Sequence, residues 1–172
     1  MKRLLLVTAA MLVSSCAILE PSPAPIPLDG LPASFEMSGR LSVAQPGRGD
    51  IAKLHWMHGP DADLWVLASP LGTELARIER GRDGLVVERP GEAPVHAASF
   101  SRLSGQLLGA AIDERLLVAW LHGRPLAGPE GWRVSIDESQ RLGDRDVARR
   151  ITASRDAVTV KLVVDAYRIV AD

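Results

Sequence analysis

The chain has 172 residues, 20 basic against 21 acidic, and a formal charge of −1. That balance argues against nucleic-acid binding, which usually shows as a basic domain. The length suits one domain with a real core, and a single cysteine, Cys16, rules out an intrachain disulfide framework.

The first element is a leader. Lys2 and Arg3 precede an apolar run from Leu4 to Val13, and Ser14 and Ser15 lead into Cys16. A basic start, a short apolar stretch and small residues before a cut site make a secretory signal. The lone cysteine at the cut makes it a lipoprotein signal, with residues 1–15 removed and Cys16 acylated. The run is shorter than the roughly 20 apolar residues that a spanning helix needs. Losing Lys2 and Arg3 leaves 18 basic residues against 21 acidic. Ala17 stands where an Asp commonly retains lipoproteins on the inner membrane, so the expected location is the outer membrane, facing the periplasm.

Residues 16–34 are expected to form the acylated cysteine and a tether. Pro21, Pro23, Pro25, Pro27 and Pro32 deny it a helix or a central strand. At ~3.1 Å per residue it reaches up to roughly 50 Å from the bilayer. The folded domain is expected over 35–172.

From Phe35 to Glu88 the apolar pattern has period two: Leu41 and Val43, then Ala52, Leu54 and Trp56, then Leu64 to Ala68 around Trp65 and Leu67, then Ala76 and Ile78, then Leu85 and Val87. Turn residues separate the runs, which predicts an antiparallel meander. Over 98–123 the period becomes helical. Phe100, Leu103 and Leu107 mark one helix; Asp113 caps a second, whose stripe is Leu116, Leu117, Trp120 and Leu121, and Gly123 and Pro125 end it. Strands return with Trp132, Val134 and Ile136, and with Val158 to Val164, continued by Tyr167 to Val170. The charged stretch 137–150 reads as a loop. The fold class is therefore α+β: a curved antiparallel sheet, an incomplete barrel, with short helices on its open side.

Catalytic sets are missing from the sequence. The histidines at 55, 58, 96 and 122 are scattered and read as solvated, and His55 and His58 have no partner set for a metal. Ser104-Gly105 lacks the preceding glycine of a nucleophile elbow, and Gly47 to Asp50 lacks the end of a phosphate loop. Neither an enzyme nor a cofactor is expected. Trp56, Trp65, Trp120 and Trp132 suit either ordinary core or the wall of an apolar cavity under a helical lid, with Leu103, Leu107 and Leu117 beside them. In Ser69-Pro70-Leu71-Gly72, Pro70 and Gly72 force a turn that carries Leu71 at its tip.

Several motifs, in order, resemble the LolB family of outer-membrane lipoprotein receptors. They are Ser38 to Val43, Leu54-His55-Trp56, Leu64 to Leu75 with its Pro-Leu-Gly centre, Leu107-Leu108-Gly109, Leu117 to Pro125, Gly131 to Val134 and Val160 to Val164. The resemblance implies a helix-covered hydrophobic cavity that accepts triacylated lipoproteins from the periplasmic carrier LolA. It also implies insertion of that cargo into the inner leaflet of the outer membrane, with Leu71 linked to the insertion step and no cofactor; a monomer suffices for such a receptor. The chain departs from the family pattern in a shorter segment between Pro125 and Trp132, which predicts a reduced sheet, and in Tyr167 where tryptophan is common. The competing readings are a structural or adaptor lipoprotein with a solid core and a secreted lipid-modifying enzyme.

Overall fold

The computed structural model describes residues 26–108 and 110–170. Cys16, the leader and the first part of the tether lie outside the described residues. Six strands come first: β1 (Phe35–Gln45), β2 (Arg48–His58), β3 (Asp63–Ala68), β4 (Glu74–Gly81), β5 (Gly84–Glu88) and β6 (Val95–Ala97). Helices α1 (Phe100–Leu108) and α2 (Glu114–Leu121) follow, then β7 (Arg133–Leu142), β8 (Arg145–Arg155) and β9 (Val158–Ile169).

The strands form one open antiparallel sheet in the order β6-β5-β4-β3-β2-β1-β9-β8-β7. After the helices the chain returns to the free side of β1, so that β9 pairs with β1 from Phe35–Ile169 to Ala44–Thr159. Ladder hydrogen bonds and cross-strand side-chain pairs thus join both halves of the chain. One sheet face is apolar because alternate residues point to it. Phe35 and Met37 on β1, Trp56 on β2, Trp65 on β3, Ile78 on β4, Leu85 and Val87 on β5, and Val160 and Val164 on β9 are all buried. On β3 the inward set is Asp63, Trp65 and Leu67, which the double-sided apolar pattern left undecided.

The helices pack against this face. Ser99 Oγ accepts from the N–H of Arg102 at the start of α1, and Asp113 accepts from the N–H of Arg115 at the start of α2, 2.8 Å away. Gly123 sits in the left-handed region (φ +74°) behind α2, and the Arg124 N–H bonds back to the carbonyl of Ala119. A side chain pays a steric cost in that conformation and glycine does not. Ser104 ties the helices together: its Oγ receives the Ile112 N–H at 2.8 Å.

One expectation needs correction. The charged stretch 137–150 is not a loop but most of the β7–β8 hairpin, turning at Gly143-Asp144. Its alternation is broken by bulges: Glu138 pairs with Arg150 and Ser139 with Ala148, leaving Arg149 unpaired in the register. Val147 and Ala148 are therefore both buried, and Arg149 and Arg150 both exposed, which hides the period of two. The segment between Pro125 and Trp132 is a plain connection that adds no strand to the nine of the described residues.

Residues 26–30, within the expected tether, are held against the domain. Ile26 is buried, and arginines hold the backbone that follows. Arg115 donates to the carbonyl of Ile26, Arg124 to those of Pro27 and Asp29, and Arg145 to that of Gly30, at 2.6–3.1 Å. Prolines deprive this segment of strand pairing, so its carbonyls are free to accept from guanidinium forks.

Candidate functional site

Between the sheet and the helices lies an apolar cavity of about 100 Å³. Leu54, Trp56, Trp65, Leu67 and Ile78 form one side, and Leu41, Ile151, Ala153, Val160 and Leu162 another. Phe100 from α1, with Leu117 and Trp120 from α2, line it from the helix side. Among the described residues no ionisable side chain lines it.

Of the residues singled out in the sequence, Trp56, Trp65, Leu117 and Trp120 meet in this wall. Leu103, Leu107 and Trp132 do not. Leu103 is buried in the core beside Leu85 and Val87. Trp132, one residue ahead of β7, packs edge-on against Trp120 with centroids 5.9 Å apart, and its Nε1 donates to the carbonyl of Ala111. It buttresses the wall from behind. Leu107 is 44% exposed, because the last turn of α1 lies beyond the stretch that Phe100 and Leu103 bury. The other wall residues carried no separate signal, since the alternation that buries a core residue also turns a residue toward a cavity.

Aromatic rings order the wall. Trp65 lies between Trp56 (5.8 Å, 27°) and Phe100 (5.0 Å, 36°), and Phe35 meets Trp56 edge-on at 4.9 Å. Trp120 donates its indole hydrogen to the carbonyl of Leu126 at 2.7 Å.

A buried polar cluster that the sequence did not reveal anchors the Trp56 end. The Asp63 carboxylate is 1% exposed and accepts from Trp56 Nε1 at 2.8 Å; His58 Nδ1 lies 2.6 Å away, and Arg80 grips the second oxygen. Arg80 also donates to the carbonyl of Gly59 and sits 3.4 Å from Glu114. Burial raises the pKa of the Glu114 carboxyl above its ordinary value, against the pull of Arg80. His58 is therefore no solvated histidine, and neither is His122. The buried His122 holds the Val118 carbonyl through Nδ1 at 2.7 Å and faces the Tyr167 hydroxyl with Nε2 at 2.8 Å. Burial lowers the pKa of this imidazole, and it pushes that of the Tyr167 phenol up to about 12.

Away from the cavity, Pro70, Leu71 and Gly72 make a three-residue hairpin loop. The N–H of Gly72 bonds to the carbonyl of Ser69 at 2.9 Å, and the N–H of Ser69 to that of Thr73 at 2.7 Å. Pro70 supplies the fixed φ of the turn and Gly72 the left-handed residue at +95° that returns the chain to β4. Leu71 at the tip is 96% exposed. Burying such a side chain is worth about 1.5–3 kcal/mol, and here water receives all of it. Among the described residues no group of three or more His, Cys, Asp or Glu side chains is placed to hold a metal.

Comparison with known proteins agrees with this arrangement. Residues 33–167 match the family model described as outer membrane lipoprotein LolB. The outer-membrane lipoprotein LolB of Chromobacterium violaceum is 30% identical over 183 residues, covering 97% of this chain and 99% of that protein. That of Thiobacillus denitrificans is 28% identical, covering 98% of each. Among solved structures, a DUF1329 family protein from Desulfovibrio piger shares the fold with a TM-score of 0.54 at 8% identity, over 83% of this chain and 87% of that one. A match that runs the length of the domain, and takes in both the cavity wall and the Pro-Leu-Gly loop, leads to one conclusion: the chain belongs to the LolB family.

Proposed function

We propose that this protein is an outer-membrane lipoprotein receptor. It accepts triacylated lipoproteins from a LolA-type periplasmic carrier and delivers them to the inner leaflet of the outer membrane. It works as a monomer without a cofactor, anchored through Cys16. The observation that carries the reading is the apolar cavity between sheet and helices in a chain of the LolB family.

The cavity's size sets a condition. At about 100 Å³ it is smaller than the ~150 Å³ space that takes up one benzene. A long acyl chain enters only when α1 and α2 move off the sheet. The gain that drives this is the removal of acyl surface from water, about 25 cal/mol per Å². Closed, the same helices keep the wall tryptophans dry.

Delivery needs no chemical energy if each successive host buries the chains more completely, and the bilayer is the final host. Leu71 adds a contact with lipid. It loses nothing on leaving water, and insertion of its side chain recovers about 1.5–3 kcal/mol at the point where cargo must cross the headgroups. One acyl chain on Cys16 would anchor the protein only marginally, whereas several hold it stably.

A structural or adaptor lipoprotein would have a solid core, and the cavity speaks against it. An environment-sensitive fluorescent fatty-acid analogue separates the two readings. A receptor binds it saturably and releases it to unlabelled fatty acid; a solid core gives only weak, non-saturating signal.

A further inference from the structure

Three of the four tryptophans satisfy their indole N–H within the fold. Trp56 donates to Asp63, Trp120 to the carbonyl of Leu126 and Trp132 to that of Ala111. Trp65 does not. Its Nε1 is buried, and no acceptor is within hydrogen-bond reach among the described residues. The residue is 3% exposed and forms part of the cavity wall. A buried donor without an acceptor is costly, and native folds seldom keep one without a reason.

The surroundings hold the ring in place. Trp65 contacts the rings of both Trp56 and Phe100, and its backbone is paired with Trp56 on β2 and Ile78 on β4. The donor belongs to a residue of an otherwise apolar wall, and its nitrogen is sealed from solvent in the closed form, so an acceptor reaches it only as the helices part to admit a chain.

We infer that the Trp65 N–H is a binding group for the carbonyl oxygen at the head of an acyl chain. This rests on the cavity being the acyl site. A hydrocarbon chain has no acceptor, so a purely hydrophobic cavity would gain nothing from a bare N–H. An acyl ester or amide has one strong acceptor, at the end of its chain. One hydrogen bond there fixes how deep the chain sits, and it distinguishes acyl lipids from alkyl lipids of the same length. The bond displaces no protein acceptor, because none is within reach among the described residues.

The test uses the full chain carrying Cys16→Ser, which keeps its own lipid out of the cavity, with indole ¹⁵N labels. The probes are a diacylglyceryl-cysteine peptide, its dialkyl ether counterpart with matched chains, and a diacyl phospholipid. Trp65→Phe removes the N–H, keeps an aromatic ring in both stacks and assigns the Trp65 indole resonance. The ester peptide should bind roughly two- to tenfold more tightly than the ether peptide, the range of one net hydrogen bond. It should also move the Trp65 indole proton downfield, which the ether should not do. Trp65→Phe should bind both peptides alike, with the affinity of the wild type for the ether.

A downfield shift with the peptide alone would identify cargo as the source of the carbonyl, and a shift with the phospholipid as well would extend it to acyl esters in general; both support the inference. Equal binding of ester and ether by the wild type, or a preference that survives in Trp65→Phe, would overturn it and leave the cavity reading standing. Failure of all three probes to bind would overturn the cavity reading and the inference with it.

Discussion

Replacing Asp63 with alanine should destabilise the fold by about 3–5 kcal/mol, the usual cost of removing one partner from a buried ion pair. The structure shows where that figure arises. The carboxylate is 1% exposed and receives Trp56, His58 and Arg80. Its loss leaves the guanidinium, 18% exposed, with only Glu114 and the Gly59 carbonyl. It also leaves the buried indole of Trp56 with no acceptor, and each such orphan costs about 1–3 kcal/mol. For a domain of this size the midpoint of thermal unfolding should fall by roughly 6–20 °C. Asp63→Asn, which keeps an acceptor and the volume, should fall between wild type and alanine. The control is Asp50→Ala, whose partner Arg48 is 71% exposed; it should change stability by at most about 1 kcal/mol. Urea unfolding followed by tryptophan fluorescence would give both values. If Asp63→Ala were no worse than Asp50→Ala, the cluster would not be holding the Trp56 end of the wall.

Leu71→Glu should leave the fold and cargo acceptance unchanged and impair insertion, read as cargo that stays protein-bound in the presence of vesicles; normal insertion would remove the loop from the mechanism. Gly39→Ala should cost at least about 2 kcal/mol, since the new Cβ would lie 2.2 Å from the Val163 carbonyl oxygen at the β1–β9 register shift, whereas Gly49→Ala meets nothing within 4 Å and should be nearly neutral. Unfolding midpoints of the two variants would decide this. Stability should also depend on pH through His122 and Tyr167. The lowered folded pKa of His122 means that the unfolded chain takes up the proton first, so its contribution fades as pH falls below ~6.5. The raised Tyr167 value has the opposite sign: its contribution is full below pH ~10 and is lost as pH climbs toward 12. Tyr167→Phe should flatten the alkaline limb of the stability profile, and an unchanged limb would refute the assignment.

Much of this architecture can be read from residue order alone. Alternation from Leu41 to Val87 marks the meander, and the switch to Phe100, Leu103 and Asp113 marks the helices, because each of those elements has one wet and one dry face. The β7–β8 hairpin escapes the same reading for a definite reason. Its bulges at Asp137 and Arg149 place two inward residues and two outward residues in succession, and the period disappears. Site residues divide along similar lines. Leu71 is legible because Pro70 and Gly72 fix the turn locally. Trp56 and Trp65 stand out as tryptophans on one face of adjacent strands. Asp63 does not, since an acid at a strand start reads as solvated until Arg80, 17 residues on, is brought against it across the sheet. Ile26 reads as tether because the prolines around it forbid regular structure, yet three arginines far along the chain bind the segment.

The central claim is tested most directly by transfer. A soluble form beginning after Cys16 would be mixed with a LolA-type carrier loaded with a triacylated lipoprotein, and the two proteins separated. The account predicts that cargo leaves the carrier and co-elutes with this protein. Cargo that remains on the carrier, with this domain folded, would contradict it.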